Sequence, residues 1–225
     1  MRDIRVCAVV MSSSMDKLLP MISQAEKEND LVEIRIDYLL EHNERDLHRI
    51  KEHIKKDIII TCRRRDEGGK WAGSEASRLS YLQTAYDLGF NYVDVELKTL
   101  KEEQFKIPQN SKTKTIVSFH DFIQTHSEHD LKEIILKIKQ YKPYIIKIAA
   151  MIKNENDAHL LYKLLIEKKK EDRYIIIGMG NKGVSTRIIT PLLGGYMTYC
   201  SVDKIGSAPG QISCKKMRKI YSFIL

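Results

Sequence analysis

The sequence predicts a (β/α)8 barrel occupying residues 1–225 as a single domain. Three observations predict it. Eight short β-branched runs alternate with eight segments of helical periodicity, one of them short. No Pro/Gly/Ser-rich linker, internal repeat or low-complexity tract divides them. The place after the first strand, where an open doubly wound sheet would bring a glycine-rich phosphate loop, holds MSSSMDK instead.

The first run, RVCAVV (5–10), is followed by LVEIRI (31–36) and DIIITC (57–62). Between the third and fourth strands, SEASRLSYLQTAYDL (74–88) has helical spacing. Ser74 is suited to the N-cap and Gly89 closes the segment as a C′ glycine. YVDVEL (92–97) and TIVSF (115–119) supply the fourth and fifth strands, and residues 127–140 the next long helix. YIIKIA (144–149) leads into a helix from Asn154 to Lys169, whose first-turn acids suit the helix dipole. YIIIGM (174–179), YMTYCS (196–201) and a final helix after Pro209 complete the pattern.

Bulk properties exclude several functions. No apolar run approaches the roughly 20 residues that span a bilayer, so no membrane partner is expected. The N-terminus reads as a strand and not as a signal peptide. Cys7, Cys62, Cys200 and Cys214 lack CxxC spacing, which gives no zinc site and no disulfide framework and makes a reducing cytoplasm the expected compartment. The net charge of +8 is assigned to solvated helix faces. Its basic runs, EKKKEDR (167–173) and KKMRK (215–219), lack the interleaved aromatics of a single-strand platform, so no nucleic-acid partner is expected.

The strands carry the chemistry. In a parallel barrel both strand faces are buried and side chains alternate. Ile34 and Ile36 oppose Glu33, Arg35 and Asp37; Val93, Val95 and Leu97 oppose Asp94 and Glu96; Ile146 and Ile148 oppose Ile145 and Lys147. With apolar faces on the helices, Glu33, Arg35, Arg63, Asp94, Glu96, His120 and Lys147 converge inside, where charges must be paired or used. His120 and Lys147 fall at the strands' C-terminal ends, where such barrels place active sites. Burial and neighbouring cations would favour a neutral lysine able to attack a carbonyl, with a histidine to move protons. A Lys147 quietly paired to Glu96 would leave the same pattern.

The segments EIRIDYL, TCRRRDEGG, YVDVEL, SFHDF, KIAAM, GMGNKGVSTR and SAPGQ, in this order, resemble those of type I 3-dehydroquinate dehydratases from about Cys7 to the C-terminus. The resemblance implies dehydration of 3-dehydroquinate to 3-dehydroshikimate in the shikimate pathway, with no cofactor and no metal. It implies that Lys147 forms an imine, His120 is the general acid/base and Glu67 orients and tunes His120. Glu33, Arg35 and Arg63 resemble the groups that hold the ring hydroxyls, Arg187 the clamp on the substrate carboxylate, and Ser207 and Gln211 the closing loop. Met179 resembles a packing residue beside the imine, and a homodimer is the implied assembly.

Two departures stand out. The chain starts on its first strand without the N-terminal hairpin that covers the floor in many bacterial members, which leaves open how the floor is sealed. Ile177 stands where a second methionine is often found. Asp94 and Glu96 are expected to balance Arg35, Arg63 and Lys147, and Asp121 to brace the segment after His120. Trp71 fits either the pocket rim or a loop staple, and Gly206 and Gly210 fit either hinges or turns. His42, His48, His53, His126, His129 and His159 are expected at the surface. A class I aldolase with GNKG as a partial phosphate cradle is the enzymatic rival, and a basic nucleic-acid module the non-enzymatic one.

Overall fold

In the second, fourth and sixth strands one face is aliphatic and the other carries the charged residues, so the sheet curls with those aliphatic faces outward against the helices. The computed structural model describes residues 4–43, 45–102, 104–202, 206 and 208–225. Eight strands, β1 (Val6–Met11), β2 (Leu31–Arg35), β3 (Asp57–Thr61), β4 (Tyr92–Glu96), β5 (Lys114–Asp121), β6 (Ile145–Met151), β7 (Tyr174–Met179) and β8 (Thr198–Ser201), run parallel. Around them lie α1 (Met15–Glu28), α2 (Arg45–His53), α3 (Glu75–Asp87), α4 (Leu97–Lys101), α5 (Glu128–Lys139), α6 (Glu155–Ile166), α7 (Val184–Leu192) and α8 (Cys214–Ile224).

The ladder runs β7-β6-β5-β4-β3-β2-β1-β8. The expected barrel is thus present, with one qualification to its continuity: β7 and β8 share no ladder among the described residues, and their seam is bridged by Tyr196 N–H donating to the Tyr174 carbonyl at 2.7 Å. A short ninth strand, β9 (Ile212–Ser213), pairs parallel to β8 and was not expected. It belongs to the segment joining β8 to α8, too short to carry a periodic signal.

The two cores follow the predicted parity. Ile34, Ile36, Val93, Val95, Ile146 and Ile148 pack between strands and helices. Ile145, Ile175, Ile177, Met179, Met197 and Tyr199 fill the barrel interior. Caps end the helices as read. Ser74 Oγ accepts from Ser77 N–H, Asn154 and Asp157 form a reciprocal capping box, and Gly89 takes φ +64°.

Two regions differ from expectation or answer it. Cys200 and Cys214 form a disulfide, correcting the reading of four unpaired cysteines. The reason is tertiary: β9 lies against β8 and starts α8 beside the end of β8, bringing the two Cα atoms to 4.8 Å. The floor is closed by tyrosines at or just before strand starts. Tyr92 and Tyr196 share a hydroxyl–hydroxyl bond of 3.0 Å, and Tyr144 packs against both rings at 6.2 and 6.1 Å between centroids.

Candidate active site

The C-terminal ends of the strands form a cavity lined by Glu33, Arg35, Arg63, Glu67, His120, Lys147, Arg187 and Gln211. Eight residues singled out in the sequence are therefore brought to one place. Ser207, the ninth, lies outside the described residues. Ile177, Met179, Ala208, Phe122 and Tyr199 supply apolar walls.

Lys147, on β6, is 5% exposed, so its ammonium cannot rely on water. It donates to Asp94 Oδ2 at 2.8 Å and, more weakly, to Glu33 Oε1 at 3.4 Å, and lies 4.5 Å from the Tyr199 ring centroid. The quiet pairing with Glu96 is absent among the described contacts. A neighbouring cation is present as expected: Arg63 NH2 lies 2.8 Å from the same Asp94 Oδ2 that Lys147 Nζ meets, so the two cations share one carboxylate oxygen. Burial alone would raise the Asp94 carboxyl, but Arg63 and Lys147 overcome it and hold it well below the usual carboxylate range.

Arg63 links the interior acids. It meets Asp94, Glu96 and the Ser118 hydroxyl, each at 2.8 Å. Glu96 turns its second oxygen to Arg78 of α3 at 3.0 Å, and Arg78 also donates to the Cys62 carbonyl at 2.6 Å. Arg78 is 1% exposed, and sequence reading missed it, since a helical arginine gives no sign of pointing inward. Asp94 and Glu96 thus balance Arg63, Lys147 and Arg78. They do not balance Arg35, contrary to expectation. Asp37 takes that role through two bonds of 2.8 Å, because the chain leaves the β2 ladder after Arg35 and a 3-10 turn, Ile36–Tyr38, folds Asp37 back.

His120 is placed by Glu67. The segment Arg65–Glu67 is a 3-10 turn ended by Gly68 at φ +81°, a conformation strained for any residue with a Cβ. That turn lifts Glu67 Oε2 to accept from the His120 backbone N–H at 3.1 Å and to bond Nδ1 at 2.9 Å, leaving Nε2 as the ring's other nitrogen. Burial, then Arg63 and Lys147, hold the imidazole well below its ordinary range. Burial and the nearby Glu96 and Asp94 push the Glu67 carboxyl up to about 8.

Arg187, on α7, is 2% exposed and has no carboxylate partner among the described residues. One terminal NH2 donates to the Pro209 carbonyl at 3.2 Å, and Nε is buried without a partner. Burial depresses its guanidinium to about 10. A buried, uncompensated guanidinium at a cavity wall fits an incoming carboxylate or phosphate. Pro209 also accepts from Gly180 N–H at 3.1 Å, so the loop before β9 sits directly on the turn after β7. Gly210, at φ +75°, could carry no side chain there: an added Cβ would lie 2.3 Å from the Gly180 carbonyl oxygen.

The remaining candidates divide. Asp121 braces its segment, accepting from Ile123 and Gln124 N–H and pairing with His126. Trp71 staples its loop, donating to the Ser74 carbonyl and stacking on His42 at 4.1 Å, away from the cavity. Of the six histidines expected at the surface, His42, His53 and His126 are half-buried and His48, His129 and His159 are exposed. Among the described residues no group of three or more His, Cys, Asp or Glu side chains could hold a metal ion.

Residues 6–225 match the family model described as Type I 3-dehydroquinase. The chain belongs to that family. It is 36% identical over 217 residues to a Coxiella burnetii 3-dehydroquinate dehydratase, covering 96% of this chain and 92% of that protein. A Methanocaldococcus jannaschii 3-dehydroquinate dehydratase is 35% identical over 219 residues, 96% of this chain and 97% of its own. A crystal structure of 3-dehydroquinate dehydratase from Geobacillus kaustophilus has a TM-score of 0.82 at 24% identity, over 99% of this chain and 91% of that one, a likeness of fold.

Proposed function

We propose that the chain dehydrates 3-dehydroquinate to 3-dehydroshikimate through an imine on Lys147, with His120 as general acid/base and Glu67 as its orienting partner. The observation that carries this reading is Arg187. A buried cation lacking a counter-ion shares a cavity with a buried amine and a histidine, which suits a substrate bearing both a carboxylate and a ketone.

The amine must shed a proton before it attacks, and Asp94 offers an acceptor at 2.8 Å. Lys147 Nζ then adds to the C3 carbonyl, and loss of water leaves an iminium that draws electrons from the neighbouring carbon. His120 takes the C2 proton, giving an enamine. The enamine expels the C1 hydroxyl, which leaves as water with the proton His120 returns. A second water hydrolyses the conjugated iminium, freeing Lys147 and product, for a net loss of one water. Glu33, Arg35 and Arg63 hold the ring hydroxyls; Asp37, Asp94 and Glu96 keep the two guanidiniums in place for this. Arg187 grips the carboxylate, and Ser207 and Gln211 close the loop over the ring, excluding water from the charged intermediate. The scheme uses no metal or organic cofactor.

The aldolase alternative needs free amides in GNKG for a phosphate. Gly180 N–H is taken by the Pro209 carbonyl and Gly183 N–H by the Gly180 carbonyl, so two of those amides are engaged. We further propose that residues 1–225 act as one catalytic domain in a homodimer and in the cytoplasm. The compartment reading has lost one support with the Cys200–Cys214 bond. No helix among the described residues is long and apolar enough to cross a membrane.

Borohydride reduction in the presence of 3-dehydroquinate tests the central claim. Mass spectrometry should find the reduced adduct on a peptide containing Lys147. An unmodified Lys147 under conditions of turnover would sink the mechanism.

A further inference from the structure

We propose that the barrel floor carries a second binding site, a groove for a polyphosphate anion, on the opposite end of the barrel from Lys147. The groove, about 970 Å3, lies between the segment leading into β5 and the turn between α5 and β6. Lys106, Lys112, Lys114, Lys142 and Arg173 line it, and none of its described lining residues is a carboxylate. Five cations without an acid repel one another, by about 1 kcal/mol for a pair 4 Å apart in water.

Several other surface lysines meet carboxylates. Lys132 and Lys163 both reach Glu128, at 2.7 and 2.8 Å, and Lys139 reaches Asp172 at 2.7 Å. Asp57, at the start of β3, accepts from Asn91 Nδ2 at 2.7 Å. The floor cations are instead steadied by aromatic rings. Lys114 lies 4.8 Å and Arg173 4.2 Å from the centroid of Tyr144, and Arg5 lies 4.5 Å from that of Tyr196. Such contacts hold the charges in place without neutralising them, leaving them available to a ligand.

A second observation points the same way. Thr113, on the groove wall, is 6% exposed, and its hydroxyl is buried with no hydrogen-bond partner among the described residues. A phosphate oxygen would accept from it. An anion with several charges fits five cations better than a single carboxylate does, and the half-exposed Tyr144 ring offers a flat face beside them.

The test uses the whole protein and calorimetric titration with inorganic tripolyphosphate, then with ATP. One site is expected, with affinity that falls steeply as salt rises. It should weaken at least tenfold when Lys114→Glu and Arg173→Glu are combined, while turnover of 3-dehydroquinate is unchanged. Arg187→Ala must leave the binding intact, which separates the floor from the catalytic cavity. Equal affinities assign the site to the phosphate chain alone; tighter ATP assigns a nucleoside polyphosphate stacked on Tyr144. If charge reversal unfolds the floor, Lys112→Gln with Lys142→Gln should still weaken binding several-fold. The proposal is overturned by an absence of saturable binding at millimolar tripolyphosphate, by affinity indifferent to the floor variants, or by loss of binding in Arg187→Ala.

Discussion

The two ends of the barrel handle buried and half-buried charge in opposite ways. At the mouth, Lys147, Arg35, Arg63 and Arg78 each meet a carboxylate within 3.0 Å, and of the cavity's described cations Arg187 alone has no carboxylate partner. At the floor, cations gather on tyrosine rings, and the groove's described lining residues include no carboxylate. Burial explains the contrast. In the dry interior an unpaired charge costs several kcal/mol, so each one is compensated unless its use requires otherwise. In the solvated floor, water screens the repulsion and allows a cluster to persist. An uncompensated cation is therefore informative at the mouth, where it is expensive, in a way that it is not at the floor, where a second observation is needed.

The contrast is broken most severely at Lys147. Lys147→Ala should lower kcat by about 10^4-fold or more, since covalent activation is lost in addition to the 10^2–10^4-fold typical of proton transfer. Circular dichroism should remain native. A variant keeping a tenth of its activity would show that the buried pair with Asp94 is structural. Arg187→Ala removes one charged hydrogen-bonding partner, roughly 1.5–3 kcal/mol, and should raise KM about 10- to 150-fold with a smaller change in kcat. An unchanged KM would mean that the carboxylate binds elsewhere.

The Glu67–His120 pair predicts a pH profile. With the carboxyl pushed up to about 8, the site holds an extra proton below that pH, and His120 accepts the C2 proton more readily as it departs. The profile of kcat/KM should therefore rise with pH through about 8. Glu67→Gln should abolish that rise and leave a lower, flatter profile; a rise surviving near the same pH would belong to another group. The smallest effect is expected at the floor. Tyr196→Phe deletes the 3.0 Å bond to Tyr92 and should cost about 1 kcal/mol, or some 2–4 °C in Tm, with kinetics unaltered.

Parity made much of this legible in advance. Once Ile34, Val93 and Ile148 are assigned to the helices, Glu33, Asp94 and Lys147 must face inward, and they do. What parity could not reach lies where strands end. Asp37 pairs with Arg35 only because a 3-10 turn follows β2, and the turn carries no periodic signal. Tyr199 stands over Lys147, yet YMTYCS mixes polar and apolar residues on both faces, so its inward side was not evident. Arg78 reaches the interior from α3, whose residues show no clear apolar stripe. The Cys200–Cys214 bond depends on β9, two residues long.

That bond makes residues 200–214 a hoop. Gly206, Pro209 and Gln211 lie on it, and neither end can drift from the other. Tying 15 residues removes disorder from the unfolded chain worth about 3 kcal/mol. In the folded protein the same tie shortens the leash on the segment that meets Arg187 through Pro209. The β8–β9 ladder, which pairs Cys200 with Ile212, ties the same two ends a second time, so the hoop is closed both by a covalent bond and by backbone hydrogen bonds.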